Sequence, residues 1–228
     1  MKVGLIGLGK MGLNLGQNLI EESHDVVAYD LDSGAVEEME RYGAKGTTNI
    51  VELIKSLEQP RLIWLMVPPD SVDVVISEVT PFLNIGDILI QSGNSYYNDT
   101  IRRYNRLKRY GVSFMDIVTS EGKEGARKEA CFKIGGDLEA WRIVEPIFRD
   151  ISVENVYAGK AGSGHFLKMN NNGIDYEMDD IREGLELLEK REFEYDSENV
   201  ARVWKKRFGY SSRAYGFNGK ERFLKMKN

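Results

Sequence analysis

Lys2-Val3-Gly4-Leu5-Ile6-Gly7-Leu8-Gly9-Lys10-Met11-Gly12 opens the chain with a strand, a glycine turn and the start of a helix. Lys2–Ile6 is a short apolar run bounded by glycine, the pattern of a buried strand, and Met11–Glu22 has the spacing of an amphipathic helix. The glycines between them have separable tasks. Gly7 permits a tight turn, Gly9 lets backbone approach a pyrophosphate, and Gly12 lets helix and strand pack closely. The helix start then turns unpaired N–H groups and partial positive charge toward the phosphates. A second apolar run, Asp25–Tyr29, ends on Asp30, eighteen residues after Gly12, where a carboxylate is expected to bind the adenosine ribose hydroxyls. Gly7, Leu8, Gly9, Lys10, Met11, Gly12 and Asp30 are therefore expected to bind a dinucleotide. The bland alternative is a glycine-rich turn that binds nothing. Asp30-Leu31-Asp32-Ser33 is doubly acidic with no arginine at hand, so it repels a 2′-phosphate at contact distance. NAD is expected over NADP, with NADP left open.

Outward from this stretch the first half alternates short apolar runs with amphipathic segments. Strands are predicted at Lys2–Ile6, Asp25–Tyr29, Leu62–Met66, Asp87–Gln91, Ser113–Ile117, Cys131–Gly135 and Asn155–Tyr157. Helices are predicted at Met11–Glu22, Ser33–Tyr42, Ile50–Ser56, Ser71–Phe82, Asn98–Tyr110 and Leu138–Arg149, with Ser33 and Asn98 as N-caps. The fold class that follows is α/β, a Rossmann-type doubly wound, mostly parallel sheet covered on both faces, followed by a short all-α C-terminal segment. From Gly162 the strand signal stops, and 162–190 reads as one long helix. The expected division is a dinucleotide-binding domain over 1–160 and a truncated helical domain over 161–228. A second helix is predicted at Asp196–Phe208, and a two-helix remnant buries its apolar faces poorly, so packing on the first domain or on a second copy of the chain is expected.

The bulk numbers exclude other classes. With 228 residues, 42% of them hydrophobic, the chain can bury a sizeable core, and its net charge of −5 offers no electrostatic case for nucleic acid or an anionic membrane. A single cysteine, Cys131, forbids an intramolecular disulfide and fits a reducing compartment. No stretch reaches the roughly 20 apolar residues of a membrane helix, so the cytoplasm is the expected location. No His, Cys and Asp cluster has metal-ligand spacing, and no metal is expected.

Ligands of open α/β sheets lie at the carboxyl ends of strands. Met66-Val67-Pro68-Pro69 should line the nicotinamide side of the cleft, and Gly93-Asn94-Ser95 lies at the end of the next strand, although each could be a plain turn. Lys168, Asn171, Asn172 and Asp175 fall at i, i+3, i+4 and i+7 on one helix face. Such a polar stripe ordinarily faces water. Three consecutive asparagines are poor helix formers, however, and nearby Gly162, Gly164 and Gly173 suit close approach of backbone or ligand.

Together, Gly7–Gly12, Val67-Pro68, Gly93-Asn94-Ser95, Thr119-Ser120 and Gly162-Ser163-Gly164-His165-Phe166-Leu167-Lys168-Met169 resemble the 6-phosphogluconate dehydrogenases, in order and spacing, over roughly residues 1–204. The likeness is to the shorter bacterial branch with an acidic residue after the second strand. The resemblance implies oxidative decarboxylation of 6-phosphogluconate, a phosphorylated sugar acid, to ribulose 5-phosphate with hydride transfer to NAD(P). It also implies Lys168 as base, Asp175 as acid, and Asn94, Ser120, Glu121, Gly122, Asn171, Asn172 and Tyr176 as substrate contacts. Met66, Val67, Pro68 and Asn94 join the cofactor contacts, and assembly into a homo-oligomer runs through the helical segment.

Three positions depart from the family pattern. Asn171 stands where the family has histidine and cannot carry a proton near neutrality. Asp175 replaces glutamate, and a group about 1 Å short of its target can cost on the order of 100-fold in rate. Ser120-Glu121-Gly122 replaces Ser-Gly-Gly and sets a carboxylate toward an anionic substrate. Lys205-Lys206-Arg207-Phe208-Gly209 replaces the start of an apolar helical domain. Three readings stay open: a phosphogluconate dehydrogenase, a related β-hydroxyacid dehydrogenase on a smaller acid, and a degenerate dinucleotide-binding protein without turnover. Outside the site, Cys131 reads as a small core residue, His165 as a positioned structural histidine and His24 as exposed.

Overall fold

The computed structural model describes residues 1–119 and 130–172, the last four as backbone. Strands β1 (Lys2–Ile6), β2 (Asp25–Tyr29), β3 (Lys45–Gly46), β4 (Leu62–Leu65), β5 (Ile88–Ser92), β6 (Ser113–Thr119), β7 (Cys131–Gly135) and β8 (Glu154–Gly159) form one sheet in the order β3-β2-β1-β4-β5-β6-β7-β8. All neighbours pair parallel except β6 and β7, which run antiparallel. The chain reverses its direction of winding between β1 and β4, which places a crevice at their carboxyl ends. Helices α1 (Lys10–Glu21), α2 (Ser33–Arg41), α3 (Ile50–Lys55), α4 (Val72–Val79), α5 (Tyr97–Lys108), α6 (Leu138–Ile151) and α7 (Ser163–Asn172) connect or cover the strands. This is the doubly wound, mostly parallel α/β fold that the alternation of runs predicts.

Strand residues alternate between two cores. Val3, Leu5, Trp64 and Ile90 join Leu15, Leu19 and Phe148 on one face, while Val27, Ile63, Leu65 and Leu89 join Leu53, Ile76 and Leu107 on the other. Burying strands on both faces explains why they read as unbroken apolar runs rather than alternating ones.

Several local expectations change. Asp32 rather than Ser33 caps α2, its Oδ1 accepting from the Gly34 N–H at 2.9 Å. Helix α5 begins after Tyr96, with no side-chain cap, so Asn98 lies inside it. The predicted Ser71–Phe82 helix is α4 flanked by 3-10 turns at Pro69–Ser71 and Thr80–Phe82, each turn starting at or next to a proline. His24 is buried, not exposed: its Nδ1 lies 3.0 Å from the Met1 amino group and its Nε2 3.3 Å from Asp150. Cys131 begins β7 as expected but is only half-buried. Of the predicted 162–190 helix, the described part is α7, which packs on β6, β7, β8 and α5. Among the described residues no helix is long and apolar enough to cross a membrane.

Candidate functional site

The glycine turn has the form its sequence suggests. Gly7 sits at φ +98°, where a side chain would be strained, and a Cβ there would come within 2.7 Å of the Met66 carbonyl. A Cβ on Gly12 would lie 2.0 Å from the Gly7 carbonyl oxygen, so α1 reaches β1 only because that position is bare. Gly9 differs from both: a Cβ there would meet nothing within 4 Å, which leaves open space above the start of α1. Helix α1 has no side-chain cap and no acidic residue in its first turn, so no side chain of its own occupies its N-terminal end. Bare backbone, free volume and a positive helix end are what a pyrophosphate needs, and the fit is good. Leu8 is buried and anchors the turn, whereas Lys10 is exposed and Met11 half-buried.

Asp30 lies at the end of β2, opposite this turn. One carboxylate oxygen accepts from the Leu8 N–H and the other accepts from the Asp32 N–H at 2.9 Å. The side chain is therefore held against the glycine turn. Met66 and Val67, both half-buried, follow β4 and border Gly7, while Pro68 is exposed.

The next strand end carries Gly93, Asn94 and Ser95. Asn94 is exposed, and the backbone on either side of it is pinned. The Gly93 carbonyl accepts from His165 Nε2 at 2.8 Å, and Ser95 Oγ accepts from Arg103 Nη1 at 2.7 Å. Arg103 also donates to Gln91 and, through Nε and Nη2, to Asp73 at 3.2 and 2.8 Å. The Arg103 and Arg102 guanidiniums hold the Asp73 carboxyl far below the ordinary carboxylate range.

Helix α7 is anchored at its start by a buried carboxylate. Asp116, fully buried in β6, accepts from the Gly162 N–H at 2.7 Å and the His165 N–H at 2.8 Å. A Cβ on Gly164 would lie 2.8 Å from the Asp116 carbonyl oxygen, so this close seating requires glycine. One turn beyond His165, the half-buried Lys168 amine points along β6 and donates to the Thr119 carbonyl at 3.4 Å. Burial pushes the Lys168 amine below its ordinary value, toward a proton-free form. The helix thus brings a half-buried amine to the carboxyl end of the sheet, the same edge that carries the glycine turn, Met66-Val67 and Asn94.

Of the expected substrate and acid residues, Ser120, Glu121, Gly122, Asp175 and Tyr176 lie outside the described residues. Asn171 and Asn172 are placed on α7 as backbone. Sequence reading missed Asp116, Arg103 and Thr100. The signals were present: a carboxylate inside the apolar run Phe114–Val118, and an arginine on the buried stripe Tyr97, Thr100, Arg103, Leu107 of α5. A charge on a buried face has to be partnered. Among the described residues no three His, Cys, Asp or Glu side chains gather as a metal site.

Comparison with known proteins bears on the whole arrangement. Residues 2–159 match the family model described as the NAD binding domain of 6-phosphogluconate dehydrogenase. The chain is 56% identical over 207 residues to a Bacillus subtilis protein provisionally named a 6-phosphogluconate dehydrogenase, a match covering 90% of this chain and 70% of that one. It is 33% identical to a decarboxylating, NAD(+)-dependent 6-phosphogluconate dehydrogenase of Haloferax volcanii, covering 90% of this chain and 69% of that protein. The solved structure of Plasmodium falciparum 6-phosphogluconate dehydrogenase superposes with a TM-score of 0.71 at 30% identity, covering 76% of this chain and 40% of that one. The chain likewise spans 42% of the longer Chlamydia muridarum relative.

Proposed function

The chain belongs to the 6-phosphogluconate dehydrogenase family, and from that premise we propose that it oxidatively decarboxylates 6-phosphogluconate to ribulose 5-phosphate with NAD as hydride acceptor. That it is an NAD(P)-linked oxidoreductase of this family is the coarser statement on which the particular reaction rests. The observation that carries the reaction is the half-buried Lys168 amine, depressed in basicity by burial, at the ligand edge of the sheet. A lysine serves as a base near neutrality only when its charged form is disfavoured in this way. In the proposal Gly7 to Gly12 and the start of α1 hold the pyrophosphate, Asp30 the adenosine ribose, and Met66, Val67, Pro68 and Asn94 the nicotinamide side. The nicotinamide supplies a hydride acceptor. Lys168 takes the C3 hydroxyl proton as hydride leaves C3, and returns it to the C3 oxygen when C1 departs as CO2. The bonding pair left behind forms an enediol, and Asp175 protonates its C2 carbon while Lys168 takes back the C3 hydroxyl proton, which leaves the C3 ketone. Ser120, Glu121, Gly122, Asn171, Asn172 and Tyr176 belong to the substrate side of this reading. The division into 1–160 and 161–228, with assembly of copies through the second part, is proposed with it.

Two readouts test the reading together, NADH absorbance and CO2 release, with 6-phosphogluconate and a panel of smaller unphosphorylated β-hydroxy acids. Joint production of NADH and CO2 from 6-phosphogluconate, abolished by Lys168→Ala with NADH affinity retained, is the expected result. The acidic residue Glu121, at a position the family resemblance assigns to substrate, is the sequence feature that favours a smaller acid. Turnover confined to the unphosphorylated acids would select that reading. NADH binding without turnover of any acid would select the degenerate one.

A further inference from the structure

We propose that His165 is a positioning residue: by joining the loop Gly93–Ser95 to the first turn of α7, it sets where Asn94 and Lys168 stand relative to each other. The inference rests on the reading of Lys168 as base and Asn94 as ligand contact, and deepens it.

His165 is 2% exposed and meets three separate elements. Its Nε2 lies 2.8 Å from the Gly93 carbonyl, which can only accept, so Nε2 carries the proton. Its Nδ1 lies 2.8 Å from Thr100 Oγ1 on α5, and in the neutral ring it accepts from that hydroxyl. Asp116 Oδ2, 3.5 Å from Nδ1, is too far for a good hydrogen bond and already accepts from the His165 backbone N–H. Burial pushes the imidazole below its ordinary value, opposing the charge of Asp116, while Lys168 and Arg103 act with burial. The ring is therefore neutral, its tautomer dictated by the two groups it bridges.

The consequence is geometric. Gly93 sits at φ +139°, a conformation glycine alone adopts readily, and its carbonyl direction is fixed by the histidine. Ser95, on the other side of Asn94, is fixed by Arg103. Lys168 follows His165 by three residues, on the same side of the helix. One imidazole thus connects the loop that presents Asn94 with the turn that presents the amine. A histidine needed only to fill space would not require a carbonyl next to the ligand loop.

Two substitutions separate the ring's halves. Gln places its terminal amide near Nε2 and can still donate to Gly93, whereas Asn places its amide near Nδ1 and keeps only the Thr100 side. His165→Gln is expected to retain most of kcat. His165→Asn is expected to lose on the order of 100-fold in kcat, the effect of a shift near 1 Å, with KM for NAD and thermal stability like those of the Gln variant. Equal losses in the two variants, or losses that follow their melting temperatures, overturn the proposal. The chain has two histidines, so imidazole nitrogen resonances of isotope-labelled protein are assignable with a single His24→Gln variant. The Nε2–H tautomer is expected, and an Nδ1–H tautomer overturns the proposal. If wild-type protein turns over no acid, the functional reading falls on its own. The positioning role is then read from titration of methyl-labelled Lys168, displaced in the Asn variant but not in the Gln variant. Identical titrations overturn it.

Discussion

Replacing Gly9 by Ala should leave the fold standing and strip the protein of its dinucleotide. Gly9 has φ −61° and ψ −179°, backbone that any residue adopts, and a Cβ there meets nothing within 4 Å. Two small effects on stability oppose each other. Alanine restricts the unfolded chain, a gain of about 0.4–1 kcal/mol, but it is a poorer N-cap than glycine by a similar amount, about 1 kcal/mol at most. The net change stays within about 1 kcal/mol, a shift of no more than about 4 °C in Tm for a chain of this size. Binding has no such cancellation. A phosphate oxygen must come to roughly 2.7–3.2 Å from the backbone N–H groups at the start of α1, through the volume the methyl group would fill. Losing one charge-assisted hydrogen bond costs about 1.5–3 kcal/mol, or roughly 10- to 150-fold in Kd. Calorimetric titration with NADH and thermal unfolding of the same sample read the two quantities. Gly12→Ala is the contrast, because its Cβ would lie 2.0 Å from the Gly7 oxygen. Overpacking of that kind costs about 1–3 kcal/mol and lowers Tm by roughly 2–12 °C. Undiminished NADH affinity in Gly9→Ala, or a melting temperature as depressed as that of Gly12→Ala, refutes the assignment of this turn.

Lys168→Met should abolish turnover yet raise Tm, since it removes an amine whose charged form burial disfavours. A lysine depressed in the fold lowers stability while it is protonated, so the Met variant's advantage is full below the amine's folded value and closes as pH rises from there to the ordinary lysine value. Over the same range kcat/KM of the wild type should climb, because the base acts without its proton; a flat profile contradicts the role. Asp73→Asn should destabilise by about 1 kcal/mol or somewhat more, the Arg103 ion pair being half open to solvent on the Asp73 side. Asp73 is depressed, so its contribution is present above the ordinary carboxylate range and is lost as pH falls below it. The gap between the two proteins in denaturant titrations should therefore shrink in acid. Asp30 should make kcat/KM for NAD exceed that for NADP, and Asp30→Ala should narrow the ratio; a wild-type preference for NADP refutes the reading of that carboxylate.

Most of the sheet was legible because its signal is local. Each of β1, β2, β4 and β5 is an apolar run closed by Gly, Asp or Pro, β6 is an apolar run broken by Asp116, and the helices between them carry a regular buried stripe. The two-residue β3 was not legible, since Lys45-Gly46 has no pattern of its own and forms a strand only because β2 offers an edge. The caps were misplaced by a residue or two for the same reason that boundaries are soft. Asp32, Ser33 and Gly34 all suit a helix start, and the choice falls to whichever side chain reaches the second N–H. Buried polar links were missed because their partners are distant in sequence: Arg103 with Asp73, Asp116 with Gly162, and His165 with Gly93. One partner of each link, Arg103, Asp116 or His165, was visible as a charged or polar residue among apolar ones, but the pairing is a property of the fold.

The antiparallel β7 shows how one such nonlocal feature governs the site. Only eleven residues, 120–130, separate β6 from β7, fewer than the dozen or more a parallel crossover needs, so the reversal was deducible from chain length. Its effect is to turn the last part of the sheet around. Thr119, at the carboxyl end of β6, pairs with Phe132 near the start of β7, while Asp116, deeper in the sheet, pairs with Gly135 at its end. Strand β8 follows β7 in parallel and so also finishes deep, at Gly159 opposite Gly135. Helix α7 must then climb back, from Gly162 and His165 beside Asp116 to Lys168 beside Thr119. Had β7 run parallel to β6, β8 would have ended at the ligand edge and the following helix would have carried Lys168 away from it. The inverted strand is therefore what places the amine on the same edge as the glycine turn. The bare Cα atoms of Gly135 and Gly164, each of whose Cβ would press on Asp116 within 3 Å, are what let the returning helix seat there.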